Sequence, residues 1–249
     1  MKHRFRISAL VLALAVSIAL VPARPAAAAK HQDRLTVVEL FTSQGCAMCP
    51  PADALLGELA KRSDLLPLSF HVDYWDYIGW KDTFASAANT TRQRAYAKRF
   101  GLRYVYTPQM VVQGAAQATG SDRAAVFADI EKYKSVSPVP IEIQLATGGR
   151  SIIVTVAATK TGKERNAEVW LVMFDRERKT TVSRGENRGK TLSGFNVVRK
   201  LMKIAEWNGR KLKFTVRPPG NAVLSGECAV LLQSAETGHI LGAAKLTLN

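Results

Sequence analysis

The sequence predicts an α/β domain followed by an all-β, sandwich-like domain. Three observations predict it. Over residues 35–134, apolar runs of strand period and helix period alternate. From residue 141 on, short alternating segments are separated by Gly, Asn and charged turns. Between the two, residues 135–140 carry Ser135, Ser137, Pro138 and Pro140 and read as a linker. The predicted division is 1–29 for a leader, 30–135 for the α/β domain and 136–249 for the β domain. Without the leader the chain can build two modest cores or one large one.

Residues 1–6 are basic, 7–21 apolar, and Ala27, Ala28 and Ala29 offer small residues for cleavage, the pattern of a secretory signal peptide. The apolar run of 15 residues is short of the ~20 that span a bilayer. No cysteine follows it at once, so a lipid anchor is not expected. The expected product begins near Lys30, has no transmembrane segment, and is periplasmic or secreted. Removing the leader takes away Lys2, Arg4, Arg6 and Arg24 and no acid, so the formal charge falls from +15 to +11. An exported chain without a nucleic-acid motif makes nucleic acid a poor partner for that charge. An anionic envelope surface or an acidic protein suits it better, and a solvated basic surface suits it equally.

Taken in order, residues 35–42 form the first strand, and Pro50 and Pro51 fit the first turn of a helix running to about residue 62. Residues 65–72 form a second buried strand. An aromatic loop, 73–82, follows with Tyr74, Trp75, Tyr77 and Trp80. Residues 90–100 read as a helix stopped by Gly101. A third strand, 108–113, returns through Gly114 as a hairpin strand, 115–119. Ser121 is the expected cap of a last helix ending near residue 134. Beyond the linker, strands are expected at 141–146, 151–157, 167–174, 229–233 and 241–248, while 196–207 fits either period.

The chemistry concentrates at Cys46 and Cys49, one helical turn apart at the start of the first helix. A helix N-terminus carries partial positive charge and free N–H groups, so it stabilises a thiolate. Cys46 is expected to be the exposed attacking thiol and Cys49 the buried resolving one. A permanent structural disulfide is the alternative in an oxidising compartment. A bond between residues i and i+3 closes so small a loop that it stabilises little, which favours exchange. Met48, between the thiols, is an exposed apolar contact or a soft thioether for Cu(I). Cys228, in an apolar strand, reads as a core residue. The chain has no Gly-rich phosphate loop, no H-E-x-x-H and no G-x-S-x-G.

The β-α-β-α-β-β-α order with C-x-x-C opening the first helix resembles the thioredoxin fold. More closely, residues 41–53 (FTSQGCAMCPPAD), 71–82 (HVDYWDYIGWKD) and 106–110 (YTPQM), with Arg184-Gly-Glu-Asn-Arg188, resemble a family of secreted bacterial thioredoxin-like proteins, domain-of-unknown-function family 1223. The resemblance implies a thioredoxin-like α/β domain and a cis-proline at Pro108, where Thr107 offers backbone groups to an extended substrate strand. It also places Glu39 near the position of an acid that moves protons for the inner cysteine. Glu39 stands seven residues before Cys46 rather than six, and so is either a base for Cys49 or a salt-bridged carboxylate. His71 and Asp73 close the second strand, where His71 either polarises Cys46, joins the thiols as a metal ligand, or fixes the aromatic loop. Trp75 and Tyr77 line a substrate surface or plug a junction. Arg184, Glu186, Asn187 and Arg188 form an anion or inter-domain site or a charged turn.

The function expected is thiol–disulfide exchange, without a cofactor, on an exported protein and with a redox partner protein. Cys46, Cys49 and Glu39 are the catalytic candidates, and Thr107, Pro108, Trp75 and Tyr77 the substrate-binding ones. The alternative is Cu(I) binding or delivery by Cys46, Cys49 and His71.

Overall fold

The computed structural model describes residues 35–134, 139–159, 166–218 and 226–248. The expected signal peptide at 1–29 and residues 135–138 of the expected linker lie outside the described residues. The elements are β1 (Thr36–Thr42), α1 (Pro50–Leu59), β2 (Leu65–His71), a 3-10 turn at Asp76–Ile78, α2 (Ala87–Arg99), β3 (Gln109–Val112), β4 (Ala116–Thr119) and α3 (Arg123–Tyr133). They continue as β5 (Ile141–Leu145), β6 (Ile152–Val156), β7 (Ala167–Thr181), β8 (Thr191–Trp207), β9 (Leu212–Val216), β10 (Gly226–Ser234) and β11 (Ile240–Leu248).

Local chemistry sets the helix starts. Pro50 opens α1, where its missing N–H has no partner to lose. Ser86 accepts from the Asn89 N–H, so α2 begins earlier than the expected residue 90. Asp122 rather than Ser121 caps α3, accepting from the Ala125 N–H.

The expected division into a thioredoxin-like α/β domain and a separate β-sandwich-like domain does not hold. Strands from both sides of residue 135 form one mixed eight-stranded sheet, in the order β11-β10-β7-β8-β2-β1-β3-β4. The described residues lie in one compact unit. The join is made where β8 runs parallel to β2, with Ser69 opposite Val197. Beside it Asn196, in the left-handed region at φ 46°, donates from Nδ2 to the Pro67 carbonyl at 2.7 Å. Pairing β2 in this way covers a strand edge that would otherwise expose a row of free backbone groups. A second tie runs through Gln113. Its Oε1 accepts from the Val37 N–H at 2.8 Å and its Nε2 donates to the Ile240 carbonyl at 3.0 Å, linking β1 to β11.

Strand alternation assigns the two faces of β1. Val38 and Leu40 pack with Leu55, Leu56 and Leu59 of α1 and with Val126 and Ile130 of α3. Val37 and Phe41 face the other way, with Phe70 and Tyr96 of α2. The three-stranded sheet β5-β6-β9 packs its Ile and Val side chains against Val169, Leu171, Val230 and Leu232 of the large sheet.

The polar ends of β7 and β8 matter most for the site. Pairing continues from Asp175↔Val197 out to Thr181↔Thr191, forming a two-stranded ribbon that leans over α1. Gly57 permits that approach, because a Cβ there would meet the Phe195 ring at 2.5 Å. The ribbon's turn, residues 182–190, is delivered to the Cys46 end of α1.

Candidate functional site

Cys46 and Cys49 are joined as a disulfide, with Cα atoms 5.5 Å apart. Cys49 is the N-cap of α1, followed at once by Pro50. Both cysteines are buried: Cys49 is 0% exposed and Cys46 only 2%. The expectation of an exposed Cys46 is therefore corrected. Its Sγ lies 3.8 Å from the Thr107 carbonyl, and the ribbon turn covers its backbone. Buried Asn187 donates from Nδ2 to the carbonyls of Gln44 (3.0 Å) and Cys46 (2.9 Å), while the Glu186 carboxylate accepts from the Ala47 N–H at 3.3 Å. Gly185 of the same turn packs against Ile78 and Trp80. What remains outside is the dipeptide between the thiols, with Met48 70% exposed.

The Thr107–Pro108 bond is cis, and Pro108 is buried. Thr107 Oγ1 accepts from Trp75 Nε1 at 2.8 Å, so the expected substrate-binding residues Thr107 and Trp75 are bonded to each other. Tyr77 is exposed, and Tyr104, in the segment leading to Pro108, is exposed as well. Met48, Tyr77 and Tyr104 are the large apolar side chains most open to solvent among the described residues. Met48 lies between the two cysteines, Tyr77 lies in the loop whose Trp75 meets Gly45 and Thr107, and Tyr104 lies three residues before Thr107.

Glu39 is not a base for Cys49. It shares the β1 face of Val37 and Phe41, whereas α1 and its cysteine lie over the face of Val38 and Leu40. The side chain is fully buried. Its Oε1 accepts from Arg92 Nε at 2.7 Å and its Oε2 from the Tyr96 hydroxyl. Arg92 also donates to Gln233 of β10 at 3.0 Å, so the group ties α2 to the second half of the sheet. The spacing of seven residues rather than six is the physical reason: it turns the acid to the opposite face.

Two other acids approach α1 and β2. His71, 4% exposed, places Nδ1 2.7 Å from Asp82 Oδ2. Burial pushes the Asp82 carboxyl up, but His71 and hydrogen bonds from His71 and the N–H groups of Gln44 and Phe84 hold it below the usual carboxylate range. An ionised carboxylate only accepts, so Nδ1 is the donor and Nε2 is left facing inward. That Nε2 has no hydrogen-bond partner, and neither has Asp53 Oδ1. Asp53 lies one turn along α1 from Cys49, its backbone N–H bonded to the Cys49 carbonyl at 3.1 Å. Burial pushes the Asp53 carboxyl up to about 7. His71 opposes that rise, as does the Thr42 hydroxyl, which stands close by without closing a hydrogen bond of good geometry, and Asp82 adds to it.

No set of three or more His, Cys, Asp or Glu side chains among the described residues is arranged to hold a metal ion. His71, which is bonded to Asp82, is not gathered with Cys46 and Cys49 into such a set. Cys228 is fully buried in β10, and burial, aided by Glu227, pushes its thiol up to about 12, as a core residue requires. Arg184 and Arg188 are exposed in the ribbon turn, while Asn187 is buried.

Sequence reasoning assigned no role to Asp53, Asp82 or the buried contact of Asn187. Asp53 carried a usable signal, since residues i and i+4 of a helix share a face and Asp53 is four beyond Cys49.

The chain matches, over residues 37–233, the family described as protein of unknown function (DUF1223). It belongs to the DUF1223 family. A crystal structure of a protein from Agrobacterium tumefaciens is 33% identical over 88% of this chain and 96% of its own, with a TM-score of 0.75. HBP35 of Porphyromonas gingivalis is 12% identical over 87% of this chain and 76% of its own, with a TM-score of 0.51, a likeness of fold alone. Among curated proteins none matches. This DUF1223 chain has no helix, among the described residues, long and apolar enough to cross a membrane.

Proposed function

We propose that this DUF1223 protein is an exported thiol–disulfide oxidoreductase that acts on other exported proteins through Cys46 and Cys49. The observation that carries the reading is the company the pair keeps. A disulfide stands at a helix N-terminus with Met48 exposed between its two cysteines, and the loops that reach it through Thr107 and Trp75 carry exposed Tyr104 and Tyr77. Apolar side chains left exposed on these segments suit contact with a polypeptide. A structural role explains the bond poorly, because so short a loop restricts the unfolded chain little. The leader-like residues 1–29 support export, which supplies partners with disulfides. In the forward reaction the Cys46 thiolate attacks a partner disulfide, and one partner sulfur leaves with the electron pair. Cys49 then displaces the second partner sulfur from Cys46. The partner ends reduced and the pair oxidised, and a redox partner protein restores the dithiol.

The test is the reduction potential of the pair, measured by thiol trapping across a redox buffer series. A value between ~−270 and ~−120 mV is expected, the range of exchange proteins. A value below about −300 mV marks a structural disulfide and overturns the reading.

A further inference from the structure

Cys49 is wholly buried, so the proton of its thiol has no direct path to solvent when the pair closes. Asp53, one helical turn along α1 from Cys49, borders a small cavity. Its volume is about 10 Å³, and its lining brings Asp53, His71, Gln44 and Arg178 together with apolar Phe84 and Leu192. That is the least space that holds one water molecule, and water persists in such a space only when polar atoms line it. Two of the buried atoms without partners belong to this lining, Asp53 Oδ1 and His71 Nε2. Gly194 borders the space, and a Cβ there would meet Val197 at 2.9 Å and stand in ordinary contact with His71 Nε2 at 3.7 Å. Asp53 is four residues beyond Cys49, so the two share a face of the helix, and the Asp53 N–H is bonded to the Cys49 carbonyl.

We infer that Asp53 is the internal proton acceptor for Cys49, with the cavity seating a water that joins its carboxyl to His71 Nε2. The inference rests on the exchange reading above. In the closing step the Cys49 thiol gives its proton to the Asp53 carboxylate. The Cys49 sulfur then attacks Cys46 Sγ, the Cys46–Cys49 bond forms, and the bond from Cys46 to the partner sulfur breaks. The partner sulfur leaves with the electron pair. His71, held by Asp82, is a positioning residue for the water. The charged and titratable groups that face Asp53 are few. They are His71 from β2, Asp82 from the loop after it, Arg178 from the ribbon, and Glu58 and Lys61 on α1 itself. A carboxyl buried to a titration midpoint of about 7 is matched to proton transfer near neutral pH.

The experiment follows closure directly. The purified, reduced protein is mixed with oxidised glutathione, and acid-quenched samples are resolved by mass into the Cys46–glutathione species and the closed disulfide. In the wild type the closure rate is expected to rise through about pH 7 and then flatten. Asp53→Asn is expected to slow closure at pH 7 about tenfold or more, the usual reach of a general base, and to move the rise toward the ordinary thiol range, with the first step unchanged. An unaltered closure profile, or equal slowing of both steps, overturns the inference while leaving the exchange reading intact. Failure of the wild type to form the glutathione species at any pH overturns both. A measurement without a variant stands behind these: the infrared band of a protonated carboxyl in the wild type is expected to change between the dithiol and disulfide forms at pH 7. No change overturns the proton acceptor.

Discussion

Two buried carboxylates, Glu39 on β1 and Asp53 on α1, lie on opposite faces of the same strand and show what burial does with and without partners. Glu39 is enclosed by Arg92 and Tyr96, with Gln233 completing the group from β10. Arg92 lies over the rings of Phe70 and Trp170, at 5.6 and 5.8 Å from their centroids. Every charge there is paired, and the group fastens the two halves of the sheet. Asp53 has an oxygen with no partner, and burial raises its carboxyl to about 7. A satisfied charge holds structure together; an unsatisfied one is poised to exchange a proton.

The contrast breaks most visibly through Arg92. Arg92→Ala strands the Glu39 charge in the core and is expected to cost about 3–5 kcal/mol in urea unfolding. The closure profile of the folded fraction should stay as in the wild type. A loss under about 1 kcal/mol would mean that Glu39 is not held as an ion pair.

Asp53→Asn sharpens the other side. The folded carboxyl titrates near 7, above its ordinary value of 3.8. Ionising it therefore opposes folding: the contribution is harmless below about pH 4, grows as pH rises to about 7, and is constant above that. The variant, which cannot ionise, should match the wild type at pH 4. By pH 8 it should exceed it by up to about 4 kcal/mol, since each tenfold difference in proton affinity between the folded and unfolded chain is worth about 1.4 kcal/mol. Parallel stability curves across that window would refute the buried, unpaired carboxyl.

A smaller effect is expected at the ribbon turn. Asn187→Ala removes two hydrogen bonds to the Gln44 and Cys46 carbonyls, at a cost of about 1–2 kcal/mol. It should also make reduced Cys46 alkylate several-fold faster, because the cover over it loosens. Smallest of all, Met48→Ser and Tyr77→Ser should change stability by no more than about 0.5 kcal/mol. Their effect belongs in the rate of exchange with a protein substrate, with glutathione exchange unchanged.

Much of the first half was legible because its signals are local. Pro50 after Cys49, the stop at Gly101 and the alternation in residues 35–42 each act within a few residues. The cap of α3 was misassigned by one position, since Ser121 and Asp122 both offer an oxygen and only backbone geometry chooses between them. The second half was read less well. β7 extends through Arg176, Glu177, Arg178 and Lys179, and β8 begins at Thr191, polar stretches that carry no strand signal of their own. They are strands because they pair with each other across the ribbon. β9, with one side chain in two only half-buried, had too weak an alternation to be placed.

The same division runs through the site. Sequence alone determined that two thiols stand at a helix N-terminus, because the spacing and the prolines act through covalent and helical geometry. It singled out Thr107 and Pro108 by resemblance, and the bond between them is cis. Tertiary structure alone decided the rest. Whether Glu39 or Asp53 meets the cysteine depends on strand register, where one residue exchanges the two faces. Whether Cys46 is open depends on Asn187, 141 residues away, brought over it by the ribbon. Whether the chain makes two domains or one sheet depends on β8 finding the edge of β2. Periodicity reports what a segment buries; only the folded chain settles which distant segment buries it.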